Sequence, residues 1–108
     1  MPPTQTVLCN HIRRREVIRF MYLEGLREVE PHLLGTDADG DLTLSAWQRS
    51  GPTPQGWRDF HVKKMQGITI TGQRFLRARP GYNRLDTTIQ NIICRLSLRR
   101  GRPAGGRK

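Results

Sequence analysis

The apolar positions Val7, Leu8 and Ile12 fall near helical spacing behind Pro2 and Pro3, with Thr4 or Thr6 placed to cap, and predict one short helix from Thr4 to about Arg15. The period then changes. Val17-Ile18-Arg19-Phe20-Met21-Tyr22-Leu23 is β-branched and aromatic, and Glu24-Gly25 offers a tight turn into Arg27-Glu28-Val29-Glu30-Pro31-His32-Leu33-Leu34, which predicts a hairpin. Pro31 can donate no ladder hydrogen bond, so this second strand is expected at an edge or bulged there. Asp37-Ala38-Asp39-Gly40 reads as a turn, and Leu42, Leu44 and Ala46 alternate with Thr43, Ser45 and Trp47 in a third strand. A loop over residues 50–56 precedes a fourth strand, Trp57 to Val62, and Gly67 to Thr71 makes a fifth.

One helix followed by five short strands is too little for a sandwich. It predicts a mainly β (α+β) domain, a small closed or nearly closed five-stranded barrel, with Ile18, Phe20, Val29, Leu33, Leu42, Leu44, Phe60, Val62, Ile68 and Ile70 in the core. Farther on, Asp86 can cap a segment in which Ile89, Ile92, Ile93 and Leu96 recur at helical spacing. A short C-terminal helix is expected there, and its Ile stripe would cover a barrel mouth or form a homodimer contact.

Composition changes this picture at one place. The 108 residues carry 19 Lys+Arg against 9 Asp+Glu, a formal net charge of +10, yet residues 1–83 account for only +4 of it and residues 84–108 for +6. The end of the chain, residues 99–108, holds Gly, Pro and Arg and nothing to bury, and is expected to be a disordered basic tail behind a single domain of residues 1–98. Such a tail attracts polyanions without sequence specificity, or serves solubility alone. No apolar run is long enough for a helical membrane span, the N-terminal residues reverse the order of a signal peptide, and Cys9 and Cys94 are most simply free thiols, so a cytoplasmic location is expected.

Catalytic signatures are missing: there is no Gly-rich phosphate loop, metalloprotease helix, paired-cysteine metal spacing or nucleophile elbow. The expectation is a non-catalytic protein with no cofactor. His11, His32 and His61 lie on three different predicted elements at no recognised metal-ligand spacing, and read as polar surface or hydrogen-bonded side chains. What stands out is the interleaving of rings with cations in Trp47-Gln48-Arg49, Trp57-Arg58, His61 with Lys63 and Lys64, and Arg77-Ala78-Arg79-Pro80-Gly81-Tyr82. Flat rings stack on unpaired bases while Lys and Arg neutralise phosphates, which suits single-stranded nucleic acid. Equally, Trp47 and Trp57 could close the barrel ends and Tyr82 could pack the C-terminal helix.

Residues from about Leu8 to Phe75 resemble a WYL domain, a ligand-sensing module of bacterial transcription regulators. The likeness lies in Ile12-Arg13-Arg14-Arg15-Glu16-Val17-Ile18-Arg19-Phe20-Met21-Tyr22, in Arg27-Glu28-Val29-Glu30-Pro31, in Gly40-Asp41-Leu42-Thr43-Leu44-Ser45-Ala46-Trp47 at the place of the naming motif, in Arg58-Asp59-Phe60-His61-Val62-Lys63-Lys64-Met65, and in Phe75. Of the naming triplet only a Leu remains, Lys64 replaces an Arg, and no helix-turn-helix fits in the roughly 16 residues before the first strand. The resemblance implies an Sm-like, SH3-like barrel sensing nucleic acid or a nucleotide, with Arg27, Arg58, His61 and Lys64 as ligand contacts and Thr43 at the place of the motif's Tyr. Joined to the interleaved residues, the candidate binding set is Arg27, Thr43, Trp47, Arg49, Trp57, Arg58, His61, Lys63, Lys64, Arg79 and Tyr82. The alternative is a protein-interaction adaptor using the Ile stripe.

Overall fold

The computed structural model describes residues 3–82 and 88–97. The predicted helix is present as α1, Pro3–Arg14, and six strands follow: β1 Glu16–Tyr22, β2 Gly25–Asp37, β3 Leu42–Ser50, β4 Gly56–His61, β5 Met65–Arg74 and β6 Ile89–Arg95, with one 3₁₀ turn, Val62–Lys64, between β4 and β5. The domain is mainly β. All pairings are antiparallel, in the order β4-β3-β2-β1-β5, with β6 added to β2. The expected closure is not made: among the described residues no pairing joins β4 to β5, so the sheet stays open.

Helix α1 turns Leu8, Cys9 and Ile12 inward, which completes a core with Val17, Ile18, Phe20, Val29, Leu34, Leu44, Ala46 and Phe60. The helix ends where Arg15 adopts a left-handed conformation (φ 56°), and the Arg15 carbonyl then accepts the Phe75 N–H at 3.0 Å. The Arg15 guanidinium also donates to the Leu76 and Ser97 carbonyls at 3.1 and 3.0 Å. Arg15 is therefore a tie between distant segments, whereas Arg13 and Arg14 are exposed as a solvated helix end. Ile70 corrects the predicted core. It is 54% exposed because β5, at the outside of the sheet, has a strand on one side only. The hairpin turn falls one residue earlier than predicted, on Leu23-Glu24, with Tyr22 opposite Gly25.

Strand β2 is the centre of the sheet, not its edge. One of its sides is shared, β1 pairing with it as far as Val29 and β6 from Leu33 onward. Pro31 falls in the gap between the two, where no ladder hydrogen bond is required of it, and the pairing with β3 is irregular between Pro31 and Leu33. The same division explains why residues 89–95 are a strand and not the predicted helix. The outer half of β2 would present unpaired backbone groups without them, and three isoleucines suit a strand as well as their spacing suits a helix. Strand β6 comes so close that a Cβ on Gly35 would strike the Asn91 carbonyl and the Ile89 side chain.

Cys9 and Cys94 are joined in a disulfide between α1 and β6, with 5.9 Å between their Cα atoms and 85 residues of sequence separation. This corrects the reading as free thiols. Sequence spacing hid the pair because the helix at one end of the chain and the strand at the other meet only in the fold. Such a bridge belongs to oxidising surroundings, which weighs against the expected cytoplasmic location. Among the described residues no helix is long and apolar enough to cross a membrane. The expected tail, residues 99–108, and the expected cap Asp86 lie outside the described residues.

Cys94→Ser is expected to lower unfolding free energy by about 4–5 kcal/mol, the entropy of a loop this long, as measured by denaturant unfolding with and without reductant. Gly35→Ala is expected to cost about 1–3 kcal/mol through overpacking against β6, with faster amide exchange at the β2–β6 pairing than elsewhere in the sheet.

Candidate functional site

The eleven residues singled out from the sequence fall into three groups, with Lys64 exposed on the 3₁₀ turn.

The first group is a wall of rings about a buried carboxylate. Glu30, on β2, is 2% exposed and accepts two hydrogen bonds from the Arg79 guanidinium, from Nε at 2.8 Å and Nη2 at 2.9 Å, while Arg49 Nε lies 3.6 Å away. The pairing with Glu30 raises the Arg79 pKa further. The Arg79 guanidinium lies 5.1 Å from the centre of the Trp47 ring, and Trp57 donates its indole N–H to the Pro80 carbonyl at 3.0 Å. At the middle sits His32, fully buried and within about 5 Å of Trp57, Phe75 and Tyr82, ring centre to ring centre. Its Nε2 accepts the Arg79 backbone N–H at 3.1 Å, so its Nδ1 carries the proton and donates to the Glu30 carbonyl at 2.8 Å. Trp47, Arg49, Trp57, Arg79 and Tyr82 are thus brought together in the fold. Their polar atoms serve mainly to strap residues 75–82 onto the sheet; the Trp47 indole nitrogen is the exception, buried and without a hydrogen-bond partner.

The second group surrounds the loop of residues 51–55. Arg27, on β2, is 5% exposed and lies 5.5 Å from the Tyr22 ring centre and 5.7 Å from that of Phe60. Its Nη1 donates to Gln48 Oε1 at 2.9 Å and to Thr53 Oγ1 at 3.4 Å, and its buried Nε has no partner. Arg58, on β4, donates from Nε to Thr53 Oγ1 at 3.3 Å, from Nη1 to its neighbour's carbonyl, Trp57 O, at 2.7 Å, and from Nη2 to Pro54 O at 2.5 Å. Every one of these acceptors is uncharged. Among the described residues neither guanidinium lies within 4.0 Å of a carboxylate, although other cations do, as in Arg19–Glu28, Lys63–Asp41 and Arg79–Glu30.

The third group gathers about the turn between β2 and β3. The Thr43 hydroxyl donates to the Asp41 carbonyl at 3.0 Å, Lys63 Nζ lies 3.3 Å from Asp41 Oδ1, and His61 Nδ1 lies 3.9 Å from Asp41 Oδ2. One ligand atom each from Asp37, Asp41 and His61 lies within 4.8 Å of the others. Asp37 Oδ1, however, already takes the N–H groups of Asp39 and Asp41, and Lys63 supplies the positive charge that a metal ion would. The turn's carboxylates are thus partly engaged within the fold. A groove of about 590 Å³ lies nearby, lined by Val7, Leu42, Val62, Met65 and Ile68, and of the eleven residues it touches only Lys63.

The sequence did not single out Glu30, His32, Gln48 or Thr53. The predicted core took Val29 and Leu33 from β2, and nothing local told that residues 75–82 would cover its other side. Gln48 and Thr53 are polar residues beside a Trp and between prolines, with no spacing that marks them. Of the Ile stripe of the adaptor reading, Ile89 and Leu96 are buried and Ile92 and Ile93 are partly exposed.

Burial holds the His32 imidazole below its ordinary pKa; the Glu30 carbonyl and carboxylate oppose this, and Arg79 reinforces it. An unfolded histidine binds its proton near pH 6.5, so between that value and the lower folded value the unfolded chain holds more protons and stability falls as pH falls. Thermal melts should show a midpoint constant above about pH 7 and declining below about pH 6.5, with the decline flattened in His32→Phe. Arg79→Ala, which leaves Glu30 buried with only Arg49 near it, should cost on the order of 2–3 kcal/mol by denaturant unfolding. Compared with protein-family models, with curated proteins and with solved structures, the chain matches none.

Proposed function

We propose that this protein is a non-catalytic binding module of the WYL type, an open Sm-like, SH3-like barrel that takes a phosphate-bearing ligand, single-stranded nucleic acid or a nucleotide, at Arg27 and Arg58. The observation that carries this reading is the state of those two guanidinium groups. Among the described residues each is held by uncharged oxygens only, and Arg27 has a buried N–H without a partner. Keeping a cation such as Arg27 in the interior without a counter-charge is expensive, and a phosphate supplies both the charge and the paired oxygens that arginine's planar fork fits. Supporting the barrel part of the reading are the order of one helix and five successive strands, and the 3₁₀ turn that bends the chain between β4 and β5. Trp57, one residue before Arg58, projects from the other face of β4 and packs with His32, Trp47 and Tyr82, so it supports residues 75–82 and is not beside the phosphate contacts. Lys63 and Lys64, both exposed, add unspecific attraction. In a reducing cytoplasm the two cysteines would be thiols and the module would rest on packing alone.

Fluorescence anisotropy of a labelled single-stranded oligonucleotide at two salt concentrations tests the reading. Binding is expected to weaken steeply with salt for a strand and shallowly for a nucleotide ligand, and no binding at low salt would overturn it. Arg58→Ala with Lys64→Ala should weaken affinity by roughly ten-fold or more, while deletion of residues 99–108 should remove only the non-specific part.

A further inference from the structure

We propose that the loop of residues 51–55 is a lid that occupies the phosphate site from within, and that ligand binds by displacing it. The inference rests on the reading of Arg27 and Arg58 given above and adds how access to that site is controlled.

Three side-chain donors converge on one hydroxyl. Thr53 Oγ1 is approached by Gln48 Nε2 at 2.9 Å, Arg58 Nε at 3.3 Å and Arg27 Nη1 at 3.4 Å. A hydroxyl oxygen has two lone pairs, so the cradle offers it more donors than it can accept. The backbone of the loop supplies the next acceptors, Thr53 O to Gln48 Nε2 at 2.8 Å and Pro54 O to Arg58 Nη2 at 2.5 Å. Three oxygens of the loop therefore stand in an array of amide and guanidinium donors, as the oxygens of one phosphate group would. They differ from phosphate in having no charge. Arg27 Nε stays unpartnered beneath them in a side chain that is 95% buried, so the loop fills the site without satisfying it. The guanidinium bonds to these oxygens carry charge on the donor side alone; a phosphate would add the attraction of its own charge, which sets the direction of the exchange.

The loop is held by little else. Pro52 rests on Gly25, where there is no side chain to interlock with it, and Gln55 Nε2 reaches the Arg49 carbonyl at 3.3 Å. Residues 51, 52, 54 and 55 are exposed, and Gly51 and Gly56 stand at the two ends, where backbone rotation would swing the segment outward. Displacement thus costs a few hydrogen bonds from guanidinium and amide donors to uncharged oxygens, and no buried apolar cluster.

The test is anisotropy of the same labelled oligonucleotide with the full chain, with ATP as competitor, in about 0.15 M salt to mute unspecific attraction. Thr53→Ala is expected to bind roughly five-fold tighter than the parent, because the lid has lost its hydroxyl contact, and Thr53→Ser to bind like the parent. Thr53→Asp sets a carboxylate between the two guanidinium groups and is expected to raise the thermal midpoint while abolishing binding. Thermal melts of each variant establish that it is folded. Competition by ATP, or by unlabelled oligonucleotide alone, identifies a nucleotide or a phosphodiester backbone as the source of the phosphate; either supports the proposal. Equal affinity of the parent, Thr53→Ala and Thr53→Asp would overturn the lid while leaving the site. A weaker Thr53→Ala would overturn it too, by making Thr53 a ligand contact. If Arg58→Ala binds like the parent, the site itself is wrong.

Discussion

A carboxylate buried at 2% exposure on the central strand is the constraint around which much of this fold is arranged. Left alone in the interior, Glu30 would be strongly destabilising, so the chain must bring a cation to it, and it does so from 49 residues away with Arg79 in a two-pronged contact. Making that contact carries residues 75–82 across the sheet. Once they lie there, the Arg79 backbone N–H needs an acceptor, and His32 provides it only as a neutral ring whose other nitrogen donates to the Glu30 carbonyl. The ion pair, the imidazole tautomer and the ring packing of Trp57, Phe75 and Tyr82 are consequences of one another. They stand or fall together.

Against this background the two fates of the basic side chains become meaningful. Arg79, Arg49, Arg19 and Lys63 each lie beside a carboxylate. Arg27 and Arg58 hold uncharged oxygens in a chain where acidic groups are already the scarcer kind, 9 against 19. A surplus of positive charge on a solvated surface asks for no explanation. A guanidinium enclosed among Tyr22, Phe60, Gln48 and Thr53 does, since among the described residues its desolvation is offset by cation–π contact and hydrogen bonds to uncharged oxygens.

The covalent link between α1 and β6 works on a different part of the molecule. Among the described residues strand β6 has a single strand neighbour and irregular pairing, and the bridge fixes it to the helix that covers the core. The helix, the outer half of β2 and the last described strand thus form one unit, distinct from the loop of residues 51–55 at the opposite end of β3.

By itself the sequence determined the elements whose signal is local. Period-two alternation with β-branched residues set β1, β3 and β4, the Asp-Gly turn set the step from β2 to β3, and a proline inside β2 required a break in its ladder. It also placed the rings and cations that later meet. What only tertiary structure decided depends on neighbours far along the chain. Ile89 to Arg95 became a strand because β2 lacked a partner there, the outer face of β2 was buried because a distant arginine was needed at Glu30, and Cys9 met Cys94 across 85 residues. Local periodicity reports which side of an element is apolar; it carries no record of what will cover the polar side. That covering determined which of the predicted binding residues are committed to holding the fold and which keep positive charge without a counter-charge.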